Sequence, residues 1–171
     1  MMAVGLSMAL ILNSLIGTIR VSYSKMLKKI LLALFCIIQI SYAENIRADV
    51  QAVKVTGDKG RYHFSVTLRS TETGCAQYAN WWEVLSSRGE LLYKRILVHS
   101  HPDTQPFTRS GGSVDISKDD VVYVRAHMNT HGYIGDVFVG SVTTGFKISD
   151  SNTTFANDLE TQKPLPTGCL Y

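Results

Sequence analysis

Four of the five histidines of the chain lie in or beside three long polar segments: His99, His101, His127 and His131. His99-Ser-His101 has metal-ligand spacing, because alternate residues of an extended strand point to the same side, with Cα atoms about 7 Å apart. Asp103 and Met128 follow closely in sequence, and imidazole, carboxylate and thioether groups suit zinc or copper. The pattern predicts a metal site at the four histidines. The alternative is that they are solvated loop residues.

The same segments contain side chains that could bind an organic ligand: Trp81, Asp103, Arg109 and Tyr133. Arg109 can hold an anion together with the backbone N–H groups of the adjacent Gly-Gly pair, or it can pair with an acid such as Asp103. Trp81 and Trp82 must point to opposite faces of a strand. One therefore belongs to the core, and the other packs under a loop or forms a stacking platform.

The sequence contains little that suggests catalysis. Cys75 could act as a nucleophile only if it were not in a disulfide, and Ser100 lacks the strand-turn-helix context of a nucleophile elbow. Glu83 and Asp103 form no recognisable acid/base pair. We therefore predict that the protein is not an enzyme, and a hydrolytic enzyme is the third and last interpretation.

Alternation with period two dominates the chain from residue 44 onward and predicts an all-β fold. In residues 61–69, Tyr62, Phe64, Val66 and Leu68 alternate with polar residues, as in a half-buried antiparallel strand. About seven short strands separated by turn signals predict a two-sheet antiparallel sandwich of the immunoglobulin or fibronectin type III kind. The predicted domain covers residues 44–146, and residues 147–171 are expected to form an irregular C-terminal strap.

The connections between the predicted strands alternate between short and long. Because successive strands run antiparallel, the long connections at 70–80, 99–113 and 129–135 should emerge at one end of the sandwich. Long loops on a rigid scaffold are where binding usually occurs. This topology predicts that the four histidines converge at that end.

Residues 1–43 have the composition of a leader, and 26–43 are typical of a signal peptide. Lys28 and Lys29 supply the positive charge, residues 30–38 are apolar, and Ser41 and Ala43 are the small residues before a cleavage site. An uncleaved anchor is the alternative, but the apolar run is shorter than the about 20 residues that span a bilayer.

Two features of the leader need separate interpretation. Residues 1–25 form a second apolar run, which is either an incorrectly assigned extension before a true start at Met26 or an additional membrane helix. Cys36 follows Phe35 rather than the small residue expected before a lipidated cysteine, so we predict a cleaved signal peptide and not a lipid anchor.

Charge and cysteine content further limit the function. Of the 17 Lys and Arg residues, four lie in the leader, whereas all 14 Asp and Glu residues follow it. The exported part is therefore slightly acidic, which argues against a nucleic-acid partner. Two cysteines remain outside the leader, Cys75 and Cys169, and an even pair in an exported domain predicts a disulfide.

Two stretches resemble known families. Val121-Val-Tyr-Val-Arg-Ala126, followed by Gly132-Tyr-Ile-Gly135, resembles the sixth strand and following loop of a fibronectin type III module. More specifically, residues 48–140 resemble an uncharacterised family of small exported bacterial proteins. The motifs that carry this second resemblance are Trp81-Trp-Glu-Val84, Leu97-Val-His-Ser-His101, Gln105-Pro-Phe-Thr-Arg-Ser-Gly-Gly112 and Val124-Arg-Ala-His-Met-Asn129. The resemblance implies an exported domain and no particular activity.

Together these features predict a periplasmic or secreted, non-enzymatic binding module for a small ligand or a partner protein. Its loops at one end would engage the ligand, no cofactor is required, and contact with the membrane is limited to the signal peptide. The alternative is a periplasmic copper- or zinc-binding protein that uses the loop histidines.

Export yields the first testable expectation. Because Ser41 and Ala43 provide the small residues that signal peptidase requires, the exported chain should begin at Glu44 or within a residue or two of it. N-terminal sequencing and intact mass measure this directly. A secreted form that retains Met26 would contradict the assignment.

Overall fold

The computed structural model describes residues 28–29, 45–149 and 155–170. The predicted leader therefore lies outside the described residues, except for Lys28 and Lys29, which are helical. Within the described ranges, no helix is both long enough and apolar enough to cross a membrane.

Eight strands and a short 3-10 helix follow one another from residue 48 onward. They are β1 Ala48–Thr56, β2 Tyr62–Ser70, β3 Ala79–Ser86, β4 Leu91–Ile96, β5 Phe107–Val114, β6 Val122–Met128, β7 Val137–Ser141, β8 Gly145–Ser149 and the 3-10 helix Asn157–Thr161. The strands form two antiparallel sheets, in the orders β1-β2-β5 and β4-β3-β6-β7-β8. The predicted all-β sandwich is confirmed.

The core lies between the two sheets and follows the predicted alternation. Phe64, Val66 and Leu68 of β2 have no solvent exposure, and they face Trp82 and Val124 of the other sheet across one apolar cluster. Trp82 is thus the core tryptophan. Burial of side chains of this size contributes about 1.5–3 kcal/mol each relative to exposure.

Two segments differ from the expectation. The chain has an eighth strand, β8, which begins before the predicted boundary of the strap at residue 147 and pairs with β7. It is an edge strand, and its large side chain Ile148 is 59% exposed. An exposed edge lacks the alternation of apolar and polar residues by which the other strands were recognised.

The second difference is that residues 107–112, predicted as part of a loop, form most of strand β5. Gly111 and Gly112 lie within this strand because it passes close to two tyrosines. A Cβ atom on Gly111 would lie 2.5 Å from the hydroxyl oxygen of Tyr93, and one on Gly112 would lie 2.7 Å from the carbonyl oxygen of Tyr62. Packing therefore requires glycine at both positions.

Of the three loops predicted at one end, the loop before β3 contacts both of the others, through Asn129 on one side and through the bond from the backbone of His101 to Glu72 on the other. Asn129 after β6 accepts a hydrogen bond from the backbone of Tyr78 and donates to the carbonyl of Ala76, both in the loop before β3. That loop also carries Cys75, which forms the predicted disulfide with Cys169 at a Cα separation of 5.6 Å. The C-terminus thus ends beside the loop cluster.

The outward face of the five-stranded sheet carries a row of three buried charges. Glu83 of β3 lies opposite Lys94 of β4 on one side and Arg125 of β6 on the other. The side chains of Glu83 and Lys94 have no solvent exposure, and that of Arg125 has 4%. The Nε atom of Arg125 donates to Oε1 of Glu83 at 2.8 Å, and Nζ of Lys94 lies 3.6 Å from Oε2.

The C-terminal strap covers this row. Lys94 donates to the carbonyl oxygens of Leu159 and Gln162 at 2.9 and 2.8 Å, and Arg125 donates to those of Phe155 and Ala156. Leu159 is itself buried. Two cations therefore hold four main-chain carbonyls, and the strap is fixed to the sheet by charge-assisted hydrogen bonds.

The core assignment can be tested with two variants of β2. Phe64→Ala should lower the free energy of unfolding by about 3–5 kcal/mol, because it removes a large aromatic side chain from the core. Arg69→Ala, at an exposed position of the same strand, serves as the control and should have little effect. Urea denaturation measures both, and equal losses would mean that the register of β2 is wrong.

The buried row can be tested by neutralising its central carboxylate. Glu83→Gln should lower the free energy of unfolding by about 3–5 kcal/mol, because two buried cations lose their anionic partner. Glu90→Gln is the matched control, since Glu90 pairs with Arg88 on the exposed surface, where ion pairs contribute little. If Glu83→Gln is as stable as the unmodified chain, the carbonyls of the strap are sufficient partners for both cations.

Candidate functional site

The structure divides the predicted site residues between two neighbourhoods and two isolated positions. Trp81, His127 and Tyr133 lie together on the outward face of the five-stranded sheet. His99, His101 and Arg109 line one cleft at the edge of the sandwich. His131 and Asp103 belong to neither group. The loops converge as predicted, but the histidines they carry do not share one site.

The outward-face group is a closed aromatic cluster. The ring of Trp81 stacks on that of His127 with centroids 3.6 Å apart, and Tyr133 meets both rings edge-on. Lys94 lies over Trp81 and Arg125 over Tyr133, at 4.5 and 3.4 Å from the ring centroids. Trp81 is only 3% exposed, so of the two predicted fates it packs rather than forming an open platform.

His127 is held on both sides by protein groups. Its Nδ1 atom lies 2.7 Å from the side-chain amide oxygen of Asn80, and Nε2 lies 3.1 Å from a carboxylate oxygen of Glu160 in the strap. Burial lowers the pKa of His127, an effect that the carboxylate of Glu160 opposes. Protein groups therefore lie within hydrogen-bond distance of both ring nitrogens of His127.

The two remaining predicted residues stand alone. His131 is exposed, and its Nδ1 atom contacts the hydroxyl of the adjacent Thr130. Asp103 is also exposed, and within the described part of the chain it forms no ion pair with Arg109. The predicted alternative of an Asp103–Arg109 pair is therefore absent from the structure.

The cleft lies where the two sheets are open to each other. β4 is an edge strand of the larger sheet and β5 is an edge strand of the smaller one. Arg95 lies opposite the core residue Trp82 in the ladder, and Arg109 alternates with the outward-facing Thr108 and Ser110. Since cross-strand partners share a face, both arginines project from the inner faces of the sheets at their open edge.

His101 forms the floor of this cleft. Its side chain is 7% exposed, and its ring stacks on Phe107 with centroids 4.0 Å apart. The Nε2 atom contacts the Nη2 atom of Arg109, so Nε2 accepts a hydrogen bond and the ring proton lies on Nδ1. Burial, assisted by the charge of Arg109, lowers the pKa of His101 to about 4. The imidazole is neutral at physiological pH.

Behind His101 lies a buried carboxylate, Glu72. It accepts hydrogen bonds from the hydroxyl of Ser70 at 2.7 Å, from the backbone of Ala79 at 3.2 Å and from the backbone of His101. Its Oε2 atom is 3.9 Å from Nδ1 of His101, and Nδ1 is buried without a hydrogen-bond partner. The side chains thus follow one another from the interior to the cleft, in the order Glu72, His101 and Arg109.

This geometry gives little support to the predicted metal site at the histidines. Among the described residues, no three His, Cys, Asp or Glu side chains are placed to hold one metal ion. His99 and His101 do come close, with ring centroids 4.5 Å apart. However, the guanidinium of Arg109 already occupies Nε2 of His101 and repels a cation.

The sequence analysis did not identify Arg95 in the cleft or Glu72 behind His101 as site residues. It also did not identify the charged row beneath the strap. Glu83 and Arg125 carried a usable signal, because each is a charged residue in the middle of a strand with apolar neighbours on both sides. Such a residue must find a partner or coverage. Nothing local in the sequence indicates that Glu72 lies behind His101, because a long-range loop contact places it there.

Comparison with known proteins gives one informative similarity. No family model matches the chain, so the fibronectin type III resemblance stays a prediction. The chain is similar to a protein of Halomicrobium mukohataei named "Putative lipoprotein", with 39% identity over 100 residues, which cover 57% of this chain. The matched region spans about half, 49%, of that protein's length.

Proposed function

We propose that this protein is an exported, non-enzymatic binding module whose ligand enters the cleft between the edges of β4 and β5. The observation that carries the proposal is that His99, His101 and Arg109, from two separate segments, line one open cleft with Arg95. Of the other predicted residues, His127 lies under Glu160 of the strap, Trp81 is packed against it, and His131 and Asp103 stand alone on the surface. The cleft therefore offers the accessible polar groups that a ligand needs.

The chemistry of the cleft favours binding over catalysis. A general base must reach the proton it abstracts, but Nε2 of His101 is occupied by Arg109 and Nδ1 is enclosed. Within the described residues, the hydroxyl of Ser100 makes no hydrogen bond to either adjacent histidine. These features of His101 and Ser100 support a binding role for the cleft.

Export is supported by the leader and by the name of the similar protein. A lipoprotein is exported and remains at the membrane, which fits a signal peptide at residues 26–43. The mass of the mature chain distinguishes two routes. Cleavage after Ala43 releases a free N-terminus at Glu44, whereas a lipidated chain would begin at Cys36. The leader of this chain favours the first.

Binding at the cleft can be tested with a thermal-shift screen of the mature, disulfide-bonded chain. The panel contains inorganic anions and small carboxylates, zinc and copper ions, neutral sugars and short peptides. Ligand present at about 100 times its Kd stabilises a protein by about 2.7 kcal/mol, so a genuine ligand raises the melting temperature measurably. NMR shifts of His99 and Arg109 should locate it.

His99→Ala and His131→Ala form the matched pair for this screen, because only the first histidine lines the cleft. We expect His99→Ala to weaken the thermal shift and His131→Ala to leave it unchanged. If no class of compound binds at the cleft, the proposal fails. If only zinc or copper binds there, the alternative of a periplasmic metal-binding protein replaces an organic-ligand module.

A further inference from the structure

We infer that the cleft at the edges of β4 and β5 binds an oxyanion, the carboxylate or phosphate group of a small ligand, through the guanidinium groups of Arg109 and Arg95. This rests on the proposed function and names its ligand class. It depends on the charge balance of the cleft, on the free donors of Arg109 and on His101, which holds Arg109 in position.

The cleft carries uncompensated positive charge. Within the described residues, neither Arg95 nor Arg109 forms an ion pair, and His101 is neutral. Glu72 lies behind the ring of His101 and accepts three hydrogen bonds from protein groups. Its charge is thus directed into the protein, and the groups that line the cleft are cationic or neutral. Low-dielectric lining residues such as Leu97 strengthen that field.

Arg109 is held in position while its donors remain available. Its Nη1 atom donates to the carbonyl of Thr108 at 2.9 Å, and Nη2 donates to Nε2 of His101. A guanidinium has five N–H donors, so three are left for a ligand. Planar donors of this kind match the oxygens of a carboxylate or phosphate in pairs. An arginine held by an imidazole rather than by a carboxylate keeps its full charge for that ligand.

His101 acts as a positioning residue in this arrangement. It lies against Phe107 and is 7% exposed, and Nδ1 faces Glu72 without a hydrogen bond. The tautomer with its proton on Nδ1 presents Nε2 to Arg109 as a hydrogen-bond acceptor.

The inference can be tested on the mature, oxidised chain by calorimetry and NMR with inorganic phosphate, acetate and zinc ions at constant ionic strength. Phosphate or acetate should bind at the cleft. Arg109→Gln should weaken the binding at least tenfold, because it removes charge-assisted hydrogen bonds. Arg95→Gln, at an exposed position, should weaken anion binding less. It is the test variant if Arg109→Gln does not fold. Arg69→Gln, an exposed arginine of β2, should leave the affinity unchanged.

Each outcome has a defined meaning. Binding of phosphate but not acetate identifies a phosphate ligand, and the reverse identifies a carboxylate. Binding of only zinc or neutral compounds at the cleft overturns the oxyanion inference while the cleft still binds a ligand. Anion binding that Arg109→Gln and Arg95→Gln leave unchanged overturns it as well. If nothing binds at the cleft, the inference and the proposed function both fail.

Discussion

The carboxylate of Glu83 has no contact with solvent and lies between two buried cations, Lys94 and Arg125. Removing three charges from water is costly, and their mutual attraction repays that cost only when the remaining donors are also satisfied. One carboxylate is not enough for two cations. Burial lowers the pKa of Lys94, against the opposing effect of Glu83. The row therefore requires further acceptors.

The C-terminal strap supplies those acceptors. Four of its main-chain carbonyls accept hydrogen bonds from Lys94 and Arg125, and the disulfide at Cys169 ties its far end to the loop cluster. In return, Glu160 of the strap lies against His127, and Phe155 packs against Tyr123. The charged row thus determines why an apparently irregular tail has a fixed place on this face of the sheet.

Sequence patterns predicted the features that depend on the alternation of apolar and polar residues along strands. They did not predict the features that depend on contacts between distant segments. Burial of Phe64, burial of one of the two adjacent tryptophans, the two-sheet architecture and the Cys75–Cys169 bond follow from period two and from the compartment. The environment of His127 does not, because alternation tells which face the ring occupies but not that Glu160 covers it. The position of Arg109 on a strand was hidden by two glycines that resemble a loop.

Arg125 and Arg109 show that an arginine can either hold segments of the protein together or remain available to a ligand. Arg125 donates to a carboxylate and to two carbonyls under the strap, so each of its three nitrogens has an acceptor within the protein. Arg109 is oriented by a neutral imidazole and by one carbonyl, and it forms no ion pair with any residue that the structure describes. A guanidinium held in place without a counter-charge is most stable when an anion arrives from outside. The burial of His101, which lowers its pKa to about 4, preserves this condition, because an imidazolium could not accept the hydrogen bond that orients Arg109.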